Sequence, residues 1–383
     1  MDRWLWGYLE SLRRRPRAGA GTRHLIVAIC DHYEPYRDQA SQTTARAYVD
    51  RWATEYPTMA AEFRDADGCM PRHTFFYPEE EYDPVCMAQL GTLMQQGCGE
   101  VEIHLHHRND TPEGLREKLV RFRDLLHRAH GMLGETGINR GGHRDTEERS
   151  SVAYAFIHGN WSLCNSRPDR DWCGVNEELG ILAETGCYAD LTFPSAPSPT
   201  QPRMVNAIYR ASDQPEGCGH DRGVRVKVKG EKEEHPTSNT QHPTSKELLL
   251  VQGPLGLDLG RRKWGVLPRL ENAELSGANP PTPGRAGLWA RTGIHVEGRP
   301  EWIFAKLHTH GCVPKNSDVL LGEPIRAMHR QLQRQYNDGT AWQLHYVTAR
   351  EMVNMIRAAE DGCTDSPGHC RDYAINQPPA MQS

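Results

Sequence analysis

The chain has 383 residues, room for one large barrel or two ordinary domains. A hydrophobic fraction of 37% and a charged fraction of 25% exclude a disordered chain, and a net charge of −5 excludes the strongly basic balance typical of nucleic-acid binders. No apolar run approaches the ~20 residues that cross a bilayer.

The first segment, residues 1–22, sets Trp4, Leu5, Trp6, Tyr8, Leu9 and Leu12 ahead of Arg13, Arg14, Arg15 and Arg17. A basic, aromatic segment of this kind suits weak peripheral contact with an anionic membrane surface. A short helix packed on the rest of the chain is the simpler expectation. Met1 to Gly7 lacks the charged region and apolar core of a signal peptide, and the eleven cysteines are scattered without a CxxC pair. Both features predict a cytoplasmic protein with reduced thiols.

From residue 23 the pattern is strand then helix. His24 to Cys30 is a continuous apolar run, as a buried parallel strand should be. Ala45, Val49, Trp52, Tyr56, Met59, Ala60 and Phe63 follow at helical spacing. His73 to Tyr77 predicts a second strand, 83–97 a helix stopped by Gly97, and Val101 to His107 a third strand. Thr111 and Pro112 suit a helix start, and Leu115, Leu119, Phe122, Leu126 and Ala129 keep its period. Residues 135–150 read as a loop. Val152 to His158 is a fourth strand, 175–185 its helix, and Cys187 to Phe193 a fifth strand ended by Pro194.

Residues 196–246 break the pattern. They are rich in Pro, Ser, Gly and charge, and predict a mobile insertion. Regularity returns at Leu248 to Val251, Trp302 to His308, a helix near 317–335, a strand at Trp342 to Val347, and a last helix with a Thr348/Glu351 capping box. The tail, 361–383, reads as disordered. Residues 23–360 therefore form one α/β unit with a parallel sheet, open or closed into a barrel. A barrel is favoured because polar residues gather at the C-terminal ends of several strands, the rim that carries barrel active sites.

Four rim segments carry chemistry. Asp31, His32 and Glu34 follow the first strand directly. His104 and His106 alternate to one face of the third strand, with Asp110 four residues further on as a hard ligand that could curl back. His158, Asn160 and Trp161 end the fourth strand, where Asn can orient a carbonyl or amide and Trp can stack on a sugar. His308 and His310 end the strand at 302–308 and offer a proton donor for a leaving group. A metal held by residues of the first and third strands would polarise a carbonyl and acidify a water, which is metal-assisted hydrolysis of an amide or ester.

On these segments the chain resembles the polysaccharide deacetylases. The resemblance covers about 24–357 and implies a distorted (β/α)7 TIM-like barrel. Asp31-His32 lies where that family has a pair of Asp, implying Asp31 as general base or ligand and His32 as a metal ligand. His106 and Asp110 fall on the family's His-x-x-x-His spacing, and the family's late catalytic His falls near His308, with His310 beside it. Phe193 to Pro197 lies in the region of substrate contacts. Segments such as HLHHRND, FIHGNW and KLHTHG look like a deacetylase-like branch linked to exopolysaccharide production.

The resemblance implies a Zn²⁺-type cofactor held among Asp31, His32, His104, His106 and Asp110. Asp31, His308 and His310 would be catalytic, and His158, Asn160, Trp161 and Glu34 would bind a carbohydrate substrate. The implied reaction removes an N- or O-acetyl group from a polysaccharide or its precursor. Three other readings remain open. A related metal-barrel amidohydrolase or phosphoesterase is one. A glycoside hydrolase using carboxylates such as Glu102, Asp190 or Glu271 is another. The third is a non-catalytic carbohydrate-binding barrel.

Overall fold

The computed structural model describes residues 4–16, 21–137, 151–230 and 247–382. In chain order it contains α1 (Leu5–Arg13), β1 (Arg23–His32), α2 (Gln42–Ala60), β2 (His73–Pro78), α3 (Pro84–Gln95), β3 (Gly99–Leu105), α4 (Pro112–His130) and β4 (Tyr154–His158). There follow α5 (Glu178–Glu184), β5 (Cys187–Asp190), β6 (Ile208–Ala211), β7 (Val224–Arg225), β8 (Leu248–Val251), β9 (Gly256–Lys263), β10 (Leu267–Glu271) and β11 (Glu274–Leu275). The chain closes with α6 (Pro283–Thr292), β12 (Trp302–Thr309), α7 (Pro314–Leu320), α8 (Glu323–Tyr336), β13 (Trp342–Tyr346) and α9 (Ala349–Glu360).

Local chemistry sets the helix starts. Ser41, Asp83 and Thr111 each accept a backbone N–H as N-caps of α2, α3 and α4, and Pro occupies the first turn of α3 and α4. The Thr348/Glu351 capping box opens α9 as its sequence predicts. The expected helix near 317–335 is two helices, because Gly322 breaks the first and caps the second, and Pro324 in the first turn of the second has no N–H to continue the first.

While β9 and β10 form a separate antiparallel pair, the other eleven strands form one large, mostly parallel sheet in the order β11-β12-β1-β2-β3-β4-β5-β8-β6-β7, with β13 paired to the first half of β1. Only β6 and β7 run antiparallel to their neighbours in it. Among the described residues the sheet does not close, so the expected α/β class with a large, mostly parallel sheet is observed and a barrel is not. The reason lies at its two flanks: β8 gives its outer edge to β6, and β12 gives its outer edge to β11. Among the described residues no ladder joins β8 to β12, and Lys306 Nζ of β12 reaches across to donate to the carbonyl of Leu191, just past β5, at 2.6 Å.

Alternation along β1 divides the interior. Leu25, Val27 and Ile29 join one cluster with the inner faces of α2 to α6 and α8, while Ile26, Ala28 and Cys30 join a second with α9. Almost every residue of α9 is buried, Arg357 excepted, so this helix is enclosed by the fold. Arg350 on α9 forms a buried ion pair with Glu100 at 2.8 Å.

Two expectations about irregular segments are revised, those for the tail and for the insertion. The tail is ordered through 382: Asn354 Nδ2 donates to the carbonyls of Arg371 and Ile375, and Asn354 Oδ1 accepts the N–H groups of Ala374 and Ile375. Residues 196–230 of the expected mobile insertion are packed, with Val205, Ile208 and Tyr209 buried; residues 231–246 lie outside the described set. The α1 segment packs as a short helix. Tyr8 clusters with Ala196, Val205 and Leu255, Ser11 takes a hydrogen bond from Asn206, and Trp6 stays 72% exposed. No helix among the described residues is long and apolar enough to cross a membrane.

Candidate metal centre

Parallel pairing brings the C-terminal ends of β1, β3, β4 and β12 to one rim. Cys30 lies opposite His308, and Leu105 opposite His158. Beyond these ends His32, Glu34, His104, His106 and His310 converge. The His32 and His310 rings stack with centroids 4.7 Å apart, His32 meets His104 at 4.9 Å, and His104 meets His106 at 4.7 Å. Glu34 is shared by two trios of possible ligands: one with His32 and His310, the other with His104 and His106.

Hydrogen bonding shows which ring nitrogens are committed and which face Glu34. His104 Nδ1 lies 3.0 Å from the Ile157 carbonyl, which can only accept, so that nitrogen carries a proton. His106 Nδ1 lies 2.5 Å from Glu80 Oε1 and is committed in the same way. Both rings then turn Nε2 toward one oxygen, Glu34 Oε1, at 3.1 Å each. In neutral rings these nitrogens are lone pairs facing a carboxylate, and only a shared cation or an added proton makes that arrangement favourable. His32 is buried with neither ring nitrogen bonded.

Electrostatics agree. Burial would raise the Glu34 carboxyl, but its contacts with the His104 and His106 imidazoles outweigh it and hold that carboxyl well below the usual range. Burial would lower His106, yet hydrogen bonds to Glu34 and Glu80 push it up to about 10. Burial takes His32 well below the ordinary imidazole value, takes His310 down to about 4, and lowers His104. Neutral His32, His104 and His310 with the Glu34 carboxylate are a donor set that fits Zn²⁺ or a similar divalent ion, and His106 would join them on giving up its proton. The bonds on His104 and His106 Nδ1 are the outer contacts that orient such ligands.

Glycine permits the close packing. A Cβ at Gly159 would lie 2.3 Å from the His106 ring, so the chain after β4 passes His106 only because residue 159 has no side chain.

The sequence-predicted residues divide as follows. His32, His104, His106, His310 and Glu34 are brought together, with Glu34 at the centre of the donor set instead of on a substrate face. Asp31 is not among them. It leaves the opposite side of β1, where Oδ2 meets His73 Nε2 at 2.8 Å and Oδ1 accepts the Gly311 N–H at 2.6 Å. Asp110 is also apart, because Asn109 takes a left-handed turn (φ 51) and Asp110 instead binds Lys118 Nζ at 2.7 Å and the Thr111 N–H.

His308 is buried beside the group, 6.3 Å from His32 and 6.2 Å from Trp161 by ring centroids, and burial lowers it far below the usual imidazole value. Trp161 stands edge-on to His32, His308 and His310, and its indole N–H is buried without a partner. Asn160 Nδ2 donates to the His107 carbonyl, and His158 faces a different group of side chains.

Two acidic residues were missed. Glu80 and Glu81 lie in a 3-10 turn directly after β2. Glu80 orients His106. Glu81 accepts the Tyr36 N–H at 2.7 Å and is pushed up to about 7, chiefly by burial. Three consecutive Glu just past an apolar strand were the available signal. A further trio, Asp65, Asp67 and His345, already holds the Arg371 guanidinium, at 3.1 and 2.7 Å from the two carboxylates.

Comparison with protein-family models and with curated proteins finds no match for this sequence.

Proposed function

We propose that the chain is a metal-dependent hydrolase of the polysaccharide deacetylase type, built on an open, distorted version of the α/β barrel. Its reaction would remove an N- or O-acetyl group from a carbohydrate. The observation that carries this reading is the convergence of His104 Nε2 and His106 Nε2 on Glu34 Oε1, with both Nδ1 atoms already committed. His32 and His310 complete the donor set. A Zn²⁺ or similar ion there would supply Lewis acidity toward a carbonyl oxygen and acidify a water.

The other residues supply the remaining functions. Trp161 offers an aromatic edge and a free N–H donor beside the histidines, suited to a sugar ring with hydroxyl or acetamido groups. Glu81, titrating near neutrality beside the group, is the carboxyl suited to exchange a proton. Arg37 pairs with the outer oxygen of Glu34 and covers that side.

One observation favours a second reading. Glu34 is shared by two ligand trios, and a bridging carboxylate is what a two-metal phosphoesterase or amidohydrolase uses.

The test is metal analysis of the purified protein with assays of acetate release from N- and O-acetylated glycans. Glu34→Gln, His104→Ala and His106→Ala should each lose the ion of this centre and the activity together. Metal-replete protein that cleaves phosphoesters but releases no acetate would move the assignment to the second reading. Protein that binds no ion in this centre would sink both.

A further inference from the structure

Outside that centre, four fully buried side chains meet on the other side of the β3–β4 rim: His107, His158, Cys173 and Glu178. We infer that they form a second, closed zinc site whose role is structural. The inference does not depend on the hydrolase reading.

The first support is donor chemistry. Two imidazoles, a thiol and a carboxylate make a four-ligand set that borderline Zn²⁺ accepts and that hard cations such as Mg²⁺ do not. The second is spacing. His107 Nε2 lies 3.2 Å and His158 Nε2 3.8 Å from Glu178 Oε1, while Cys173 Sγ lies 3.4 Å from Glu178 Oε2. Tetrahedral zinc with bonds of about 2.0–2.3 Å holds its ligand atoms about 3.3–3.6 Å apart. The third is an orphan: His158 Nε2, buried and aimed at Glu178, has no hydrogen-bond partner.

The surroundings fit as well. His107 Nδ1 points to Asp110 Oδ2 at 3.4 Å, and Lys118 holds that carboxylate in turn. A carboxylate behind the second nitrogen is the usual outer contact of a metal-bound imidazole. Two contacts oppose the cation and would have to be released: the Asn160 N–H donates to His158 Nδ1 at 3.2 Å, and the Cys173 thiol donates to the Val175 carbonyl at 3.4 Å.

The location explains why a clamp is useful. Between β4 and α5 the chain has no regular structure beyond a short 3-10 turn, and Trp161, Cys164, Asn165, Arg170 and Trp172 all take positive φ. The segment is held by local contacts and not by a ladder, among them Ser162 Oγ donating to the Asp171 carbonyl and the Gly174 N–H donating to Asn165 Oδ1. The four ligands tie its two ends, His158 and Glu178, and its middle, Cys173, to the end of β3 at His107. The same segment carries Trp161 to the first centre.

The test uses full-length protein grown with cobalt in place of zinc. Cobalt on a thiolate gives a sulfur-to-metal charge-transfer band in the near ultraviolet. The band should be present in the wild type, persist in Glu34→Gln and His104→Ala, whose first centre is disabled, and vanish in Cys173→Ser. With zinc, the Glu34→Gln/His104→Ala protein should keep about one equivalent per chain, and adding Cys173→Ser should remove it. Cobalt-loaded wild type without the band would overturn the proposal, whatever the fate of the cysteine variant's fold. So would a first-centre variant that retains no metal. The four residues would then be a buried imidazolium–carboxylate network held by a proton.

Discussion

Asp31 and His32 are adjacent on β1, and their side chains leave the sheet on opposite sides. His32 meets His104, His310 and Trp161, whereas Asp31 joins His73 to the backbone of Gly311. A Cβ at Gly311 would lie 2.0 Å from Asp31 Oδ2, so this contact requires glycine after His310. Asp31 is thus a positioning residue that fixes where the loop after β12 presents His310. Asp31→Ala should leave the metal content of both centres unchanged and lower stability, since each buried partner it orphans costs about 1–3 kcal/mol. Thermal denaturation and metal analysis on one preparation decide the point. Metal loss with an unchanged melting temperature would return Asp31 to the ligand set.

The placement of Asp31 marks where sequence reading stops. The strands were legible because continuous apolar runs ended in turn residues, and the rim histidines were legible because they sat at those ends. The face of Asp31 was not, since β1 is buried on both sides and alternation alone carries no label of which side is which. Asp110 has a suitable spacing from His106, but the left-handed backbone of Asn109 turns it away. Cys173 and Glu178 join His107 only through the irregular path after β4, which has no periodic signal. The open sheet was hidden for a similar reason. The outer edges of β8 and β12 are taken by β6 and β11, four and two residues long, set in segments rich in Gly, Pro and Asn.

The C-terminal residues act as part of the core. Arg350, paired with Glu100, also donates to the carbonyls of Arg371 and Ile375, and Asn354 makes four hydrogen bonds to the same stretch. Deleting 363–382 would expose the seat of Ile375 and strip partners from two buried polar side chains. Burial of one such apolar side chain contributes about 1.5–3 kcal/mol, and each orphaned group adds to the loss. Against a total stability of about 5–15 kcal/mol, the truncated chain should unfold at a much lower urea concentration or fail to fold. Asn354→Ala in the full-length chain should show a smaller shift in the same direction. An unchanged urea midpoint in the truncated protein would mean the tail only rests on the surface.

A buried carboxyl gives stability a defined pH dependence. Asp190 is enclosed at the end of β5, and burial raises it from 3.8 to about 7 despite hydrogen bonds from the Thr192 hydroxyl and N–H. Between pH ~4 and ~7 the folded chain holds a proton that the unfolded chain has released, so this group's contribution to stability falls as pH rises through that window. Above pH ~7 its penalty is constant. Asp190→Asn removes the titration. The stability difference between variant and wild type should therefore shift toward the variant from pH 4 to 7, by a few kcal/mol at most, and then level off. Denaturant titrations at a series of pH values measure that difference, and parallel curves would show that Asp190 stays ionised in the fold.

Trp161 reports on the metal centre directly. Its indole lies 5.7 Å from the His32 ring and 6.0 Å from the His310 ring by centroids, and its N–H has no partner. A paramagnetic ion bound by those histidines would sit close enough to quench its fluorescence strongly. Adding Co²⁺ to metal-stripped protein should therefore lower the emission, and Trp161→Phe should abolish most of that drop while leaving binding intact. The phenylalanine also removes the only indole donor at this position, so KM for an acetylated sugar should rise more than kcat falls, as expected for a side chain that holds substrate without joining the reaction. A quench that survives in Trp161→Phe combined with Cys173→Ser, which removes the second centre beside Trp172, would place the bound ion away from His32 and His310. A fall in kcat with KM unchanged would assign the indole a part in the chemical step itself.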